Sequence, residues 1–296
     1  MGTITILSET TKNPITLMGQ RAGVCWGANV SDNEKNFKRG LDCIKSGHGR
    51  VMEYVNVEMI IDGYSAKVLR EYYTHIGGAP TRLQASTRYI DYSKGDGFTY
   101  TTPSSIDKNG YYPVWKTLMD TINRTIKTMI DNGVPVEDAT MALPLAYSSK
   151  MVDKRNLRNL VDMSRQRMCS RAYWEYRELF RDICNALRGY SDEWKWIVDN
   201  LFHAKCDEVG YCTEAKSCGR KPERDVITMT SFYIISEKEY KEYKKLKTKN
   251  KPMRKLLGYE KLYCPVCNYV VDNAVPNQKY CDRCGQRLYK RLYKKK

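Results

Sequence analysis

The segment Asn156-Leu157-Arg158-Asn159-Leu160-Val161-Asp162-Met163-Ser164-Arg165-Gln166-Arg167 sets the character of this chain. On a helix, Asn156, Leu160, Met163 and Arg167 share one face, because the steps between them are four, three and four. An amide and a guanidinium then lie along an otherwise apolar stripe. Such groups need partners if they are buried. Two readings fit: a face that meets a ligand, or a helix capped by Asn156 whose Arg167 reaches solvent. Leu143-Pro144-Leu145 precedes the segment, and Ala139 to about Leu187 reads as helix-rich.

Further upstream, Arg70 to Tyr89 reads REYYTHIGGAPTRLQASTRY. It gathers guanidinium groups, hydroxyls and His75 around a Gly-rich turn. Ser86-Thr87-Arg88 offers hydroxyl and backbone donors plus a cation to a phosphate; the alternative is a solvated loop. Around it, Phe37, Leu41 and Ile44 predict a helix over 32–46, and the alternation of Val55, Val57 and Met59 predicts a strand over 53–62. Ser65 to Tyr73 returns to a helix, which Gly77-Gly78-Ala79-Pro80 interrupts. Residues 109–132 form another, with Trp115, Leu118, Ile122 and Ile126 on one face and Gly133-Val134-Pro135 at its end. The fold class is α+β, mostly helical.

The chain has 296 residues, 42% hydrophobic and 28% charged, which is ordinary for a globular protein with a real core. No apolar run approaches the roughly 18 residues of a membrane helix. The opening MGTITILSETTKNP has no basic segment followed by an apolar one. The expectation is a soluble cytoplasmic protein with no membrane partner. A net charge of +16 favours polyanions. There is no GxxxxGKS loop, no GxGxxG after a strand and no GxSxG elbow, which argues against a P-loop NTPase, a Rossmann dehydrogenase and an α/β-hydrolase. Three histidines, His48, His75 and His203, are too few for a multi-histidine metal enzyme.

Composition divides the chain into a body (1–236), a Lys-rich linker (237–258) and a small Cys-rich module with a basic tail (259–296). In that module thirteen residues separate the pair Cys264 and Cys267 from the pair Cys281 and Cys284. Two such CxxC pairs complete a tetrahedron of thiolates, so the module reads as a structural zinc ribbon. Its Arg283, Arg287, Lys290 and Arg291 suit nucleic acid, or the zinc merely holds together a segment too small for its own core. His203, Cys206, Cys212 and Cys218 make a second cluster with less regular spacing, read either as metal ligands or as unpaired thiols.

Taken in order, Gly47-His48, Ser86-Thr87-Arg88-Tyr89, Leu143-Pro144-Leu145 as a helix start, Asn156-x-Arg158, Arg167 and Trp174-Glu175 resemble the flavin-dependent thymidylate synthases over roughly residues 18–188. The family signature RHRxxSxNExSxRY is altered. Two extra residues separate His75 from Ser86, Thr74 and Ile76 replace arginines, and Gln84 replaces a glutamate. Arg70 keeps a family arginine, Glu71 replaces a glutamine, and Arg82 is a candidate to return a lost cation. The resemblance implies a homotetramer with FAD at subunit junctions and dUMP stacked on the flavin. It implies flavin contacts at His48, His75, Asn156 and Arg158. It implies dUMP contacts at Glu71, Gln84, Ser86, Thr87 and Arg88, with Arg167 facing the uracil as the catalytic cation. Methylenetetrahydrofolate would give the carbon, reduced FAD the hydride, and NADPH would reduce the flavin, yielding dTMP. The altered loop keeps a related deoxyuridylate hydroxymethylase as an alternative, and the charge and ribbon keep a non-catalytic nucleic-acid-binding protein.

Overall fold

A computed structural model describes residues 2–223, together with the backbone of Leu262–Tyr263 and Val270–Val271. The chain divides into two compact units, 1–223 and 224–296. In the second, Leu262–Tyr263 pairs antiparallel with Val270–Val271, so the strands flank Cys264 and Cys267 in sequence. The linker at 237–258 and the ribbon ligands Cys264, Cys267, Cys281 and Cys284 lie outside the described residues.

The first unit opens with β1 (Thr3–Ile6), α1 (Pro14–Cys25), α2 (Asn33–Lys45) and a 3-10 helix (Gly49–Tyr54). Next come β2 (Asn56–Ser65), α3 (Ala66–Tyr72), β3 (Thr81–Gln84), α4 (Ser104–Lys108), α5 (Tyr112–Asp131) and α6 (Val136–Ala139). A second 3-10 helix (Thr140–Ala142) precedes β4 (Ser148–Asn156), followed by α7 (Leu157–Arg167), α8 (Trp174–Tyr190), α9 (Asp192–Leu201) and α10 (Lys205–Val209). The strands form one antiparallel sheet in the order β1-β2-β4-β3. No helix among the described residues is long and apolar enough to cross a membrane.

The α+β expectation holds, but β4 corrects the helix-rich reading of 139–187. Leu143-Pro144-Leu145 starts no helix; it leaves the 3-10 turn and leads into a strand. The alternation in β4 is inverted: Met151, Asp153 and Arg155 are buried, while Val152 and Lys154 face outward. A strand with a carboxylate and a guanidinium on its inner face carries no apolar period to recognise. Strand β2 begins at Asn56 rather than Glu53, because the 3-10 helix takes the residues before it.

Helices α1 and α2 touch backbone to backbone. A Cβ at Gly19 would stand 1.8 Å from the Asn36 carbonyl oxygen, and one at Gly40 would stand 2.0 Å from that of Ile15. The faces of the amphipathic helices are shifted slightly from expectation. In α5, Met119 and Ile126 are buried with Trp115 and Ile122 packed beside them, while Leu118 faces out. In α2, Asn36, Gly40 and Cys43 are the buried positions, and Phe37, Leu41 and Ile44 pack at the edge of the core.

The main core joins Val57, Met59 and Ile61 of β2 with Ile15 and Met18 of α1, Leu160 and Met163 of α7, Phe180 and Ile183 of α8, and Trp194 of α9. Burial of each such side chain contributes about 1.5–3 kcal/mol against chain entropy. Of the Trp174-Glu175 pair, Glu175 anchors α8 to the end of β2. Buried Glu175 accepts from the Ser65 backbone N–H (2.7 Å) and from the Ser65 hydroxyl. The Ser65 Oγ in turn accepts from Val68 N–H and caps α3.

Candidate active site

Arg167 closes α7 and turns inward rather than to solvent. Its side chain keeps 19% of its accessible surface. The Nε–H donates to His75 Nε2 at 2.9 Å, Nη1 lies 3.5 Å from Glu71 Oε2, and the guanidinium sits 4.3 Å over the Tyr176 ring. Three groups, two from the end of α3 and the turn after it and one from α8, therefore fix one cation. The other half of the sequence alternative is present too: Asn156 caps α7, its Oδ1 accepting from Asn159 N–H at 2.9 Å. Capping and site-building are not exclusive here.

His75 accepts from a guanidinium, so its Nε2 carries no proton. Burial pushes its pKa down to about 4, and the Arg167 and Arg155 charges push the same way. The imidazole is therefore a neutral acceptor near neutral pH. Its edge meets the Tyr176 ring at 5.9 Å. The Tyr176 hydroxyl is buried without a hydrogen-bond partner among the described residues.

Beneath this lies a buried polar floor that sequence reasoning missed. Arg155 donates to both carboxylate oxygens of Asp153 (2.5 and 2.7 Å) and to Asn159 Oδ1 (2.6 Å). The Tyr72 hydroxyl donates to Asp153 at 2.9 Å, and Arg155 lies 4.1 Å over the Tyr72 ring. Burial works against the Arg155 charge, yet Tyr72 and Asp153 hold its pKa above the ordinary guanidinium value. Both ion-pair side chains are fully buried. Their signal was present as two charges two residues apart in a strand, legible only once β4 is known to be a strand.

The Gly77-Gly78 turn packs on the start of α7. A Cβ at Gly78, which has φ +73°, would stand 2.3 Å from Asn156 Nδ2. This close approach brings the His75 loop to the NxR motif. Arg158 pairs with Glu53 at 2.5 Å and stays half exposed. A Cβ at Gly49 would stand 3.8 Å from the Arg158 guanidinium, so exposed His48 belongs to the same neighbourhood. Exposed Arg158, at the start of α7, and exposed His48, on the adjoining loop, leave a cation and an imidazole open to an anionic ligand, while Asn156 beside them is buried.

The signature loop is tied to β4 and to α6. Gln84 Nε2 donates to Ser149 Oγ at 3.3 Å, Ser86 Oγ accepts from Arg88 N–H, and the Thr87 carbonyl accepts from Thr140 Oγ1 at 2.8 Å. Arg88 is exposed and pairs with Glu137 at 2.8 Å. Arg82, the candidate to return a lost cation, stacks on Tyr73 at 4.4 Å and donates to the Tyr73 carbonyl.

The second cysteine cluster, His203, Cys206, Cys212 and Cys218, lies within the described residues. Among the described residues no three His, Cys, Asp or Glu side chains are placed to hold an ion. Cys206 Sγ accepts from Arg220 at 3.0 Å, Cys212 is buried, and His203 offers its backbone carbonyl to Ser164. Exposed Cys218 is held below the usual thiol pKa, first by its hydrogen bond with Ser170.

Fold and site together define an α+β protein that presents a pre-oriented guanidinium and a loop of anion donors. The family model described as "Thymidylate synthase complementing protein" matches residues 6–190. The flavin-dependent thymidylate synthase of Nitratidesulfovibrio vulgaris is 31% identical over 216 residues, covering 67% of this chain and 83% of that one. That of Pyrococcus furiosus is 30% identical over 199 residues, covering 67% and 76%. Thymidylate synthase X of Helicobacter pylori, solved with FAD and dUMP, shares the fold, with a TM-score of 0.53 at 16% identity over 68% of this chain and 99% of that one. The chain belongs to the flavin-dependent thymidylate synthase family.

Proposed function

We propose that the chain makes dTMP from dUMP, with methylenetetrahydrofolate as carbon donor and FAD as bound cofactor. The carrying observation is the Arg167 cation held by neutral His75, Glu71 and Tyr176 at the end of α7. Ser86, Thr87 and Arg88 hold the dUMP phosphate, and Arg88 exchanges Glu137 for it. Arg167 faces the uracil and stabilises negative charge as it develops on the pyrimidine, the electrostatic role of a pre-positioned donor. His48, Asn156 and Arg158 hold the flavin, and His75 reaches it through the ring edge not used by Arg167. The flavin, when bound and reduced by NADPH, supplies the hydride. No cysteine or serine nucleophile is needed.

The site is completed by a second copy in a homotetramer. Ile76, Leu83 and Tyr89 on the signature loop are 71%, 73% and 80% exposed, and Met141 beside the Thr140–Thr87 bond is 85% exposed. Uncovered apolar surface of this kind supports self-association. The module at 259–296 binds a structural zinc, and the enzyme works in the cytoplasm.

A second reading is favoured by one observation. Thr74 and Ile76 stand where the family has arginines, and Arg82 is turned onto Tyr73. That loss of charge suits a deoxyuridylate hydroxymethylase on the same nucleotide site. An anaerobic single turnover of reduced enzyme with dUMP and methylenetetrahydrofolate separates the two by nucleotide mass. A dTMP product supports the synthase, and a hydroxymethyl product moves the assignment to the second reading. Unchanged dUMP from flavin-loaded enzyme overturns both.

A further inference from the structure

Residues 204–221 close a cavity of about 440 Å³ against residues 165–172. Arg167 lines it, so the cavity adjoins the catalytic cation. Its wall carries Arg165, Arg167, Arg171, Lys205, Arg220 and Lys221 against the single carboxylate of Glu214. Ion pairs cancel only part of that charge. Arg165 is matched by Glu208, with both contacts within 3.0 Å, and by Asp162 at 3.0 Å, and Arg167 by Glu71. Arg220 and Lys221 share one partner, Asp207, at 2.8 and 3.4 Å. Arg171 reaches only the Lys216 carbonyl, and Lys205 has no ion-pair partner among the described residues. Counted with Glu214, the six cations exceed these carboxylates by one, and Arg171 and Lys205 are the two that no ion pair holds among the described residues, free to meet the two charges of a dianion together. The rest of the wall is small and neutral, with Ala172, Ala204, Cys206 and Cys212 leaving room for an inserted group.

We infer that this cavity binds a dianionic group of a cosubstrate whose reacting end lies at Arg167. Two groups of that chemistry come with the proposed reaction: the carboxylates at the glutamyl end of the folate and the 2′-phosphate of NADPH. Only this choice of candidates rests on the proposed function; the cavity and its charge do not.

The test uses the full chain and the variant Arg171→Ala/Lys205→Ala, both substitutions at exposed positions. Equilibrium binding of methylenetetrahydrofolate, NADPH, NADH and dUMP is measured by calorimetry, with KM values alongside. The variant is expected to bind one cosubstrate three- to tenfold more weakly, with dUMP affinity and kcat unchanged. Weaker folate binding, more pronounced for a triglutamyl folate, assigns the carboxylates. Weaker NADPH binding with NADH unaffected assigns the phosphate. Arg171→Lys/Lys205→Arg is expected to bind as the wild type does. Unchanged affinity for both cosubstrates, or an equal loss for dUMP, overturns the inference. Because binding is read without turnover, a wild type that binds through these residues but yields no modified nucleotide overturns the proposed function and leaves the cavity assignment standing.

Discussion

Replacing His75 by alanine removes the acceptor that fixes Arg167. The bond lost joins a guanidinium to a neutral imidazole at 2.9 Å in a half-buried setting. Hydrogen bonds to charged groups contribute about 1.5–3 kcal/mol. If that bond orients the cation only for the transition state, the rate of the chemical step falls roughly 10- to 100-fold, at about 1.4 kcal/mol per factor of ten. The contacts to Glu71 at 3.5 Å and to the Tyr176 ring at 4.3 Å remain and keep the loss toward the lower figure. His75→Gln, whose amide oxygen can accept from Nε–H, is expected to recover most of the rate. The assay is a rapid-quench single turnover on the flavin-loaded fraction, fixed by absorbance, so that any loss of FAD affinity is counted separately. The pH profile gives a second readout. With its pKa lowered to about 4, His75 stays an acceptor from pH 8 to 5, and the Arg167-dependent step is flat with respect to it there. The linked stability has a definite sign. A histidine depressed from 6.5 to about 4 contributes stability that is full above pH 6.5 and is lost as pH falls through 4. His75→Gln removes that part of the acid sensitivity. An unchanged single-turnover rate in flavin-loaded His75→Ala would falsify the positioning argument.

Asp153→Ala leaves the Arg155 charge buried and unpaired, and chemical denaturation is expected to show a loss of about 3–5 kcal/mol; Asp153→Leu/Arg155→Met should restore much of it, and failure to do so would mean that the floor is not held by charge pairing. Gly19→Ala forces a Cβ into the Asn36 carbonyl and is expected to lower stability by about 1–3 kcal/mol or more, read as a drop in Tm; an unshifted melt would show that α1 and α2 can separate freely. Arg88→Ala should weaken dUMP binding at least tenfold with FAD retained, and an unchanged Kd removes the phosphate role. Cys264→Ser/Cys267→Ser should abolish bound zinc measured by elemental analysis, since no second metal centre exists among the described residues; zinc retained at full stoichiometry would refute the ribbon.

What the sequence determined by itself is what short spacing can carry. The period of Phe37, Leu41 and Ile44 announces α2, the alternation of Val55, Val57 and Met59 announces β2, and Asn156 caps the helix that ends in Arg167. The ordered motifs were enough for the family, because each is a local pattern of residue type. Tertiary structure alone decided the rest. Strand β4 escaped notice because its inner face carries Asp153 and Arg155, which satisfy each other only through the fold. The His75–Arg167 bond joins residues 92 positions apart, and no local period encodes it. Arg82 has the charge to replace a lost arginine, and its packing on Tyr73 is visible only in the fold. His203, Cys206, Cys212 and Cys218 had ligand chemistry in sequence, but convergence on an ion requires side-chain directions that spacing does not fix. Residue type and period limit what each segment can form; which faces are buried, and which distant side chains meet as His75 and Arg167 do, is set only in the folded chain.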